Sequence, residues 1–108
     1  MVSNPRPPEF ETSRQATPDE VHGVPGVNHV AIHIVERCIE QHHVVEIEYT
    51  DEAGALSKIR VRPAYIRYNP AHNVVLWAIR PDRAGWAEFR LDRIHAALDT
   101  GEEFTPTW

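Results

Sequence analysis

The hydrophobic pattern changes period once along the chain. Ala31, Ile34, Val35 and Cys38 recur at helical spacing, extended by Val27 and Ile39, while His29, His33, Glu36 and Glu40 fall on the other side. Asn28 follows Gly26-Val27 and suits an N-cap, so a helix is predicted from Asn28 to about Gln41. From Val44 the period becomes two. Val45, Ile47 and Tyr49 alternate with Glu46 and Glu48, and Ile59 and Val61 alternate with Lys58, Arg60 and Arg62. A loop Glu52–Gly54 with Gly54 left-handed pairs Asp51 with Ala55. That register sets Glu48 against Lys58 and Glu46 against Arg60 on one face. On the other it sets Ile47 against Ile59 and Val45 against Val61.

Pro63 is predicted to end or bend the second strand, with Ala64–Tyr68 a third. Asn69-Pro70-Ala71-His72-Asn73 reads as a turn and Val74–Arg80 as a nearly continuous apolar strand. Pro81–Gly85 turns the chain again. Trp86–Leu91 is a fifth strand, with Trp86, Glu88 and Arg90 on one face and Ala87, Phe89 and Leu91 on the other. Ile94–Leu98 fits either a short strand or a helical turn, and a tail follows Gly101, in which Phe104 can pack back. One helix and then five short strands predict a mainly β domain, a small five-stranded closed barrel over residues 27–106. Closure would remove the exposed strand edges. Residues 1–26 hold five of the nine prolines and no apolar period, and are expected to be a disordered Pro-rich tail.

Composition narrows the function. The 108 residues suit one domain. No stretch is apolar enough to span a membrane, and Met1–Pro8 lacks a signal-peptide core. A lone cysteine, Cys38, excludes an intrachain disulfide and Cys-pair zinc sites, so a cytoplasmic setting is expected. The net charge of −5 hides a basic middle: eight of the eleven Lys and Arg residues lie between 58 and 93. Seven of those eight are arginine, whose planar fork suits phosphate and carboxylate.

Residues Val35 to about Pro106 resemble a WYL domain. The resemblance rests on an ordered series: Ile47-Glu48-Tyr49, then Arg60-Val61-Arg62-Pro63, then Val74-Val75-Leu76 in place of the Trp-Tyr-Leu strand. Phe89-Arg90-Leu91-Asp92-Arg93-Ile94 and a Phe-x-Pro ending, Phe104 and Pro106, complete it. The resemblance implies an Sm-like or SH3-like barrel that senses ligands, often nucleic acids or nucleotides, through basic and aromatic residues. Arg90, Arg93, Tyr49 and Arg62 match its motif positions. The name-giving Trp and Tyr are replaced by Val74 and Val75, and one helix and a Pro-rich tail are not expected to supply a helix-turn-helix ahead of the domain.

The resulting expectation is a non-enzymatic, bacterial regulatory module. Arg62, Arg90 and Arg93 would capture an anionic ligand, with stacking on Tyr49, Tyr65 or Trp86. Single-stranded nucleic acid or a nucleotide-like molecule are the candidate ligands. A protein-interaction or oligomerisation module, with a protein partner or a second copy, is the alternative. His29 and His33 stand four apart, a spacing that can hold zinc with Glu36 as a third ligand. They lie on the polar helix face without a cysteine, so no metal and no cofactor are expected. Ser3, Ser13 and Ser57 have no nucleophile-elbow context, and Cys38 falls on the apolar helix face as an inert thiol.

Overall fold

The computed structural model describes residues 14–83 and 85–108. Helix α2 spans His29–Gln41, and the Asn28 side chain accepts the Ala31 N–H at its start. It ends where His42 turns left-handed, at φ 57°. Its buried residues are Ala31, Ile32, Val35 and Cys38. Ile32 was absent from the expected face, and Ile34 is only half-buried. A 3.6-residue period leaves both near the edge of the stripe, and the packing partner decides between them.

Strands β1 (His43–Thr50) and β2 (Leu56–Tyr68) form the hairpin in the expected register, with Glu48 opposite Lys58 and Val45 opposite Val61. Asp51 N–H donates to the Ala55 carbonyl, and Gly54 sits at φ +84°, where a Cβ would be strained. Strands β3 (Val74–Arg80), β4 (Gly85–Arg90) and β5 (Ile94–Glu103) follow, and a single 3₁₀ turn, Leu91–Arg93, joins β4 to β5. The strand order is β4-β3-β2-β1-β5, antiparallel throughout.

Four expectations need correction. The two strands predicted on either side of Pro63 are one, β2. β2 pairs β1 up to Val61 and β3 from Arg62, and its register slips between Pro63 and Tyr65. Proline lacks a ladder N–H and is tolerated at such an irregularity, so it bends the strand without ending it. The ambiguous Ile94–Leu98 stretch is strand, and it continues through Gly101 to Glu103, paired with β1.

The sheet curls about one core without closing into a barrel. Edge strands β4 and β5 share no ladder. Between them Leu91 turns inward and is fully buried, and the Arg90 N–H donates to the Tyr49 hydroxyl at 3.1 Å instead of to a strand. Finally, part of the expected tail is structured. Pro18–His22 is a short helix, α1, closed by a Thr17–Glu20 capping box, with Val21 and Ala16 buried. Residues 1–13 of that expected tail lie outside the described residues.

The core joins Val45, Ile47 and Val61 to Leu76, Phe89, Leu91 and Ile94, roofed by Ile32, Val35 and Cys38 of α2. Val74, Leu76 and Ala78 of β3 face it. Val75, Trp77 and Ile79 therefore face outward, yet they too are buried.

Candidate functional site

Pairing across β2, β3 and β4 arranges that outer face in three rows, because directly opposed residues share a face. Arg62, Ile79 and Trp86 form the first row and Tyr65, Trp77 and Glu88 the second. Arg67, Val75 and Arg90 form the third. Val75, which replaces the family's motif aromatic, thus shares its face with Trp77 two residues on. An aromatic remains on this face, displaced by one row.

Tyr65 stacks on Trp86 with centroids 6.4 Å apart, and Trp108 closes on both rings at 6.2 and 5.5 Å. Phe104 lies 5.7 Å from Trp108, and the Arg62 guanidinium sits 5.9 Å above the Phe104 ring. The Phe104 N–H donates to the His42 carbonyl, which anchors the C-terminal residues across the sheet. Phe104 therefore does pack back.

Arg62 also lines a groove of about 320 Å³ with Lys58, Arg60, Arg80, Asp82 and Glu102. This volume is at the small end of the roughly 300–1,000 Å³ range of ligand sites. Four cations face two carboxylates there. Arg80 is held bidentately by Asp82 at 2.9 and 3.1 Å, and Arg60 meets Glu46 at 3.4 Å. Arg62 differs from both: its Nε is buried and has no hydrogen-bond partner among the described residues, a condition shared with Trp77 Nε1.

Arg90 lies elsewhere. Its row is four β3 residues from that of Arg62, about 13 Å along the strand. Its guanidinium is held bidentately by Asp92 at 2.8 and 3.1 Å. It lines a second groove that also contains the Glu20 and Asp92 carboxylates. Arg93 sits in the 3₁₀ turn. Tyr49 is half-buried, its ring edge-on to Phe89 at 5.1 Å and its hydroxyl occupied by the Arg90 N–H. Burial pushes the Tyr49 hydroxyl above its ordinary pKa, against the opposing pull of the Arg90 N–H and of Arg93.

The six expected site residues are thus divided. Arg62, Tyr65 and Trp86 converge on one end of the outer face. Arg90, Arg93 and Tyr49 serve the β4–β5 corner. Lys58, Arg60 and Arg80, absent from the expected set, complete the groove around Arg62. Lys58 and Arg60 alternate visibly with Ile59, but the approach of Arg80 depends on the β2–β3 register, which no local pattern announces.

Elsewhere, Arg14 grips Glu20 with two bonds of 3.0 and 2.8 Å, and Tyr68 OH donates to the same carboxylate at 2.7 Å. Arg14, the Thr17 N–H and Tyr68 together hold the Glu20 carboxyl well below the usual carboxylate range. Cys38 is fully buried, and its thiol is pushed up to about 11, chiefly by desolvation.

A mainly β domain, one five-stranded antiparallel sheet roofed by a helix, is the class of protein this geometry defines. Residues 31–98 match the model of the WYL domain, and the chain belongs to that family. In fold it is similar to the proteasome accessory factor B/C (PafBC) of Arthrobacter aurescens, at 17% identity and a TM-score of 0.62. That likeness covers 84% of this chain and 13% of the PafBC chain. No curated protein matches the chain. Among the described residues no helix is long and apolar enough to cross a membrane.

Proposed function

We propose that this WYL domain is a non-enzymatic regulatory module that binds an anionic ligand in the groove around Arg62. The observation that carries this reading is the buried Arg62 Nε, without a hydrogen-bond partner among the described residues, at a groove whose other cations, Lys58, Arg60 and Arg80, are each paired with a carboxylate. A buried donor without an acceptor costs on the order of 1–3 kcal/mol, more when charged, and a phosphate or carboxylate oxygen would recover it. Tyr65 and Trp86 lie within the same aromatic cluster as Phe104, over which Arg62 sits. A base could stack there while its phosphate enters the groove. Single-stranded nucleic acid or a nucleotide-like molecule is the ligand class that uses both features. Arg90 and Arg93 are left out of this site because they lie at the β4–β5 corner, about 13 Å along the strand from the row of Arg62.

The test is fluorescence anisotropy of a labelled mixed-sequence single-stranded oligonucleotide at two salt concentrations, with a mononucleotide as competitor. Expected is salt-sensitive binding, weakened about tenfold or more by R62A/R80A and less than about twofold by R90A/R93A, in line with the loss of one or two charge-assisted contacts. The reverse ranking would move the site to the β4–β5 corner. No binding of either probe at low salt would end the anionic-ligand reading.

The alternative, a protein-interaction module, draws on Val30, Leu56 and Leu98, which are 71%, 64% and 56% exposed, and on the open edges of β4 and β5. Light scattering across a concentration series tests self-association directly.

A further inference from the structure

Folding of α1 against α2 brings a third histidine to the pair visible in the sequence. His29, His33 and Glu36 occupy one stripe of α2, at positions i, i+4 and i+7. His22, the last residue of α1, enters that stripe from outside. Its ring stacks on His33 at 4.4 Å and on His29 at 5.5 Å. Its Nε2 lies 2.9 Å from Glu36 Oε1, and His33 Nδ1 lies 3.4 Å from the same oxygen.

We propose that His22, His33 and Glu36 form a binding site for one zinc-class divalent ion, which fastens α1 to α2. Ligand atoms of the three lie within 4.8 Å of one another. In a tetrahedral zinc site, bonds of about 2.0–2.1 Å place neighbouring ligand atoms about 3.3 Å apart. Two of the three edges, 2.9 and 3.4 Å, lie close to that length, and an ion enters once the stacked His22 and His33 rings turn so that their in-plane lone pairs converge. Two imidazoles and one carboxylate are borderline donors, suited to zinc and its transition-metal neighbours and not to magnesium or calcium. Three protein ligands leave a fourth position for water.

His29 supports the site from behind. Its Nδ1 lies 3.3 Å from His22 Nδ1. A proton on His22 Nδ1 can therefore be donated to His29, which leaves the Nε2 lone pair aimed at the metal. Metal-bound histidines are commonly oriented by such an outer hydrogen bond. The α1 end of the site is held independently: the Thr17–Glu20 capping box and the Arg14–Glu20 and Tyr68–Glu20 bonds fix the start of the helix that presents His22. Metal occupancy would then set how firmly residues 14–26 stay docked.

The experiment is a zinc titration by calorimetry of the full, untagged chain after chelator dialysis, with magnesium as control. One equivalent of zinc should bind, and magnesium should not. H22Q, H33Q and E36Q should each weaken zinc at least tenfold. H29Q, removing an outer partner, should weaken it about 10-fold or more. H42Q/H72Q should change nothing. Zinc should also slow proteolysis within residues 14–26. Failure of the wild type to bind zinc would overturn the proposal, as would unchanged affinity in a folded H22Q/H33Q protein. Should that double variant not fold, imidazole NMR of the wild type decides: zinc-induced shifts confined to His22, His29 and His33 support the site, and shifts centred on His42, His72 or His95 refute it.

Discussion

The first half of β2, Leu56–Val61, runs beside β1, and the two cations of its outer face meet carboxylates across the strand. Lys58 lies 3.8 Å from Glu48 and Arg60 3.4 Å from Glu46. The second half, from Arg62 to Tyr68, runs beside β3, where the opposed residues are Ile79, Trp77 and Val75. Among the described residues no carboxylate is opposed to Arg62 across the ladder, and its guanidinium lies over the Phe104 ring. Each half carries two cations, Lys58 and Arg60 in the first and Arg62 and Arg67 in the second, yet of these four only Arg62 keeps a buried donor unanswered among the described residues. A basic patch is therefore not read from the number of arginines. It is read from which strand lies opposite each of them.

Several substitutions separate the halves from what they share. The largest effect belongs to Leu76→Ala, which empties a fully buried position beneath both. It should cost about 2–5 kcal/mol in urea unfolding, and a loss below ~1 kcal/mol would show that the two halves do not share one core. Tyr49→Phe removes the acceptor of the Arg90 N–H. A cost of about 1–2 kcal/mol is expected, with no change in ligand binding at the Arg62 groove; a binding defect would return Tyr49 to the site. Glu46→Gln and Glu48→Gln, on the answered half, should each cost below ~1 kcal/mol, because exposed ion pairs contribute little. A larger loss would mean that cross-strand charge specifies the hairpin.

Two further measurements concern the flanking elements. The Glu20 carboxyl is depressed in the fold, so its stabilisation of the docked α1 segment is complete above the unfolded carboxyl range near pH ~4.3. It is lost as pH falls through and below that range. Proteolysis within residues 14–26 should accelerate on acidification in the wild type and be already fast in E20Q at neutral pH. Equal rates at neutral pH would remove Glu20 as the anchor. Cys38, buried with its thiol pKa pushed up to about 11, should resist alkylation at pH 8 until the domain unfolds. Rapid labelling would show that α2 lifts from the core readily.

Much of the scaffold was legible because it depends on neighbours in sequence. The α2 N-cap at Asn28, the β1–β2 register and the Asn69–Asn73 turn, where Asn69 N–H donates to the Asn73 carbonyl, all follow from contacts a few residues apart. The candidate site was legible only in part. Arg62, Tyr65 and Trp86 were anticipated and do converge. Arg90 was anticipated for the same reason, an outward position on a strand, but Asp92 two residues away neutralises it. Arg80 and His22 were missed, since each reaches its group from an element whose placement has no local signal.

Helix α2, the β1–β2 register, the family and the basic middle segment were readable from the chain alone. Those depend on periodicity, on turn chemistry and on residues close along the chain. Tertiary structure alone decided that β2 runs unbroken through Pro63 and that the sheet stays open at Tyr49 and Leu91. It also decided that Arg62 stands apart from Arg90, and that His22 joins His33 and Glu36. Each of these outcomes depends on which surfaces meet after the chain turns back on itself. Burial, opposing charge and unanswered donors become definite only when both partners are in place.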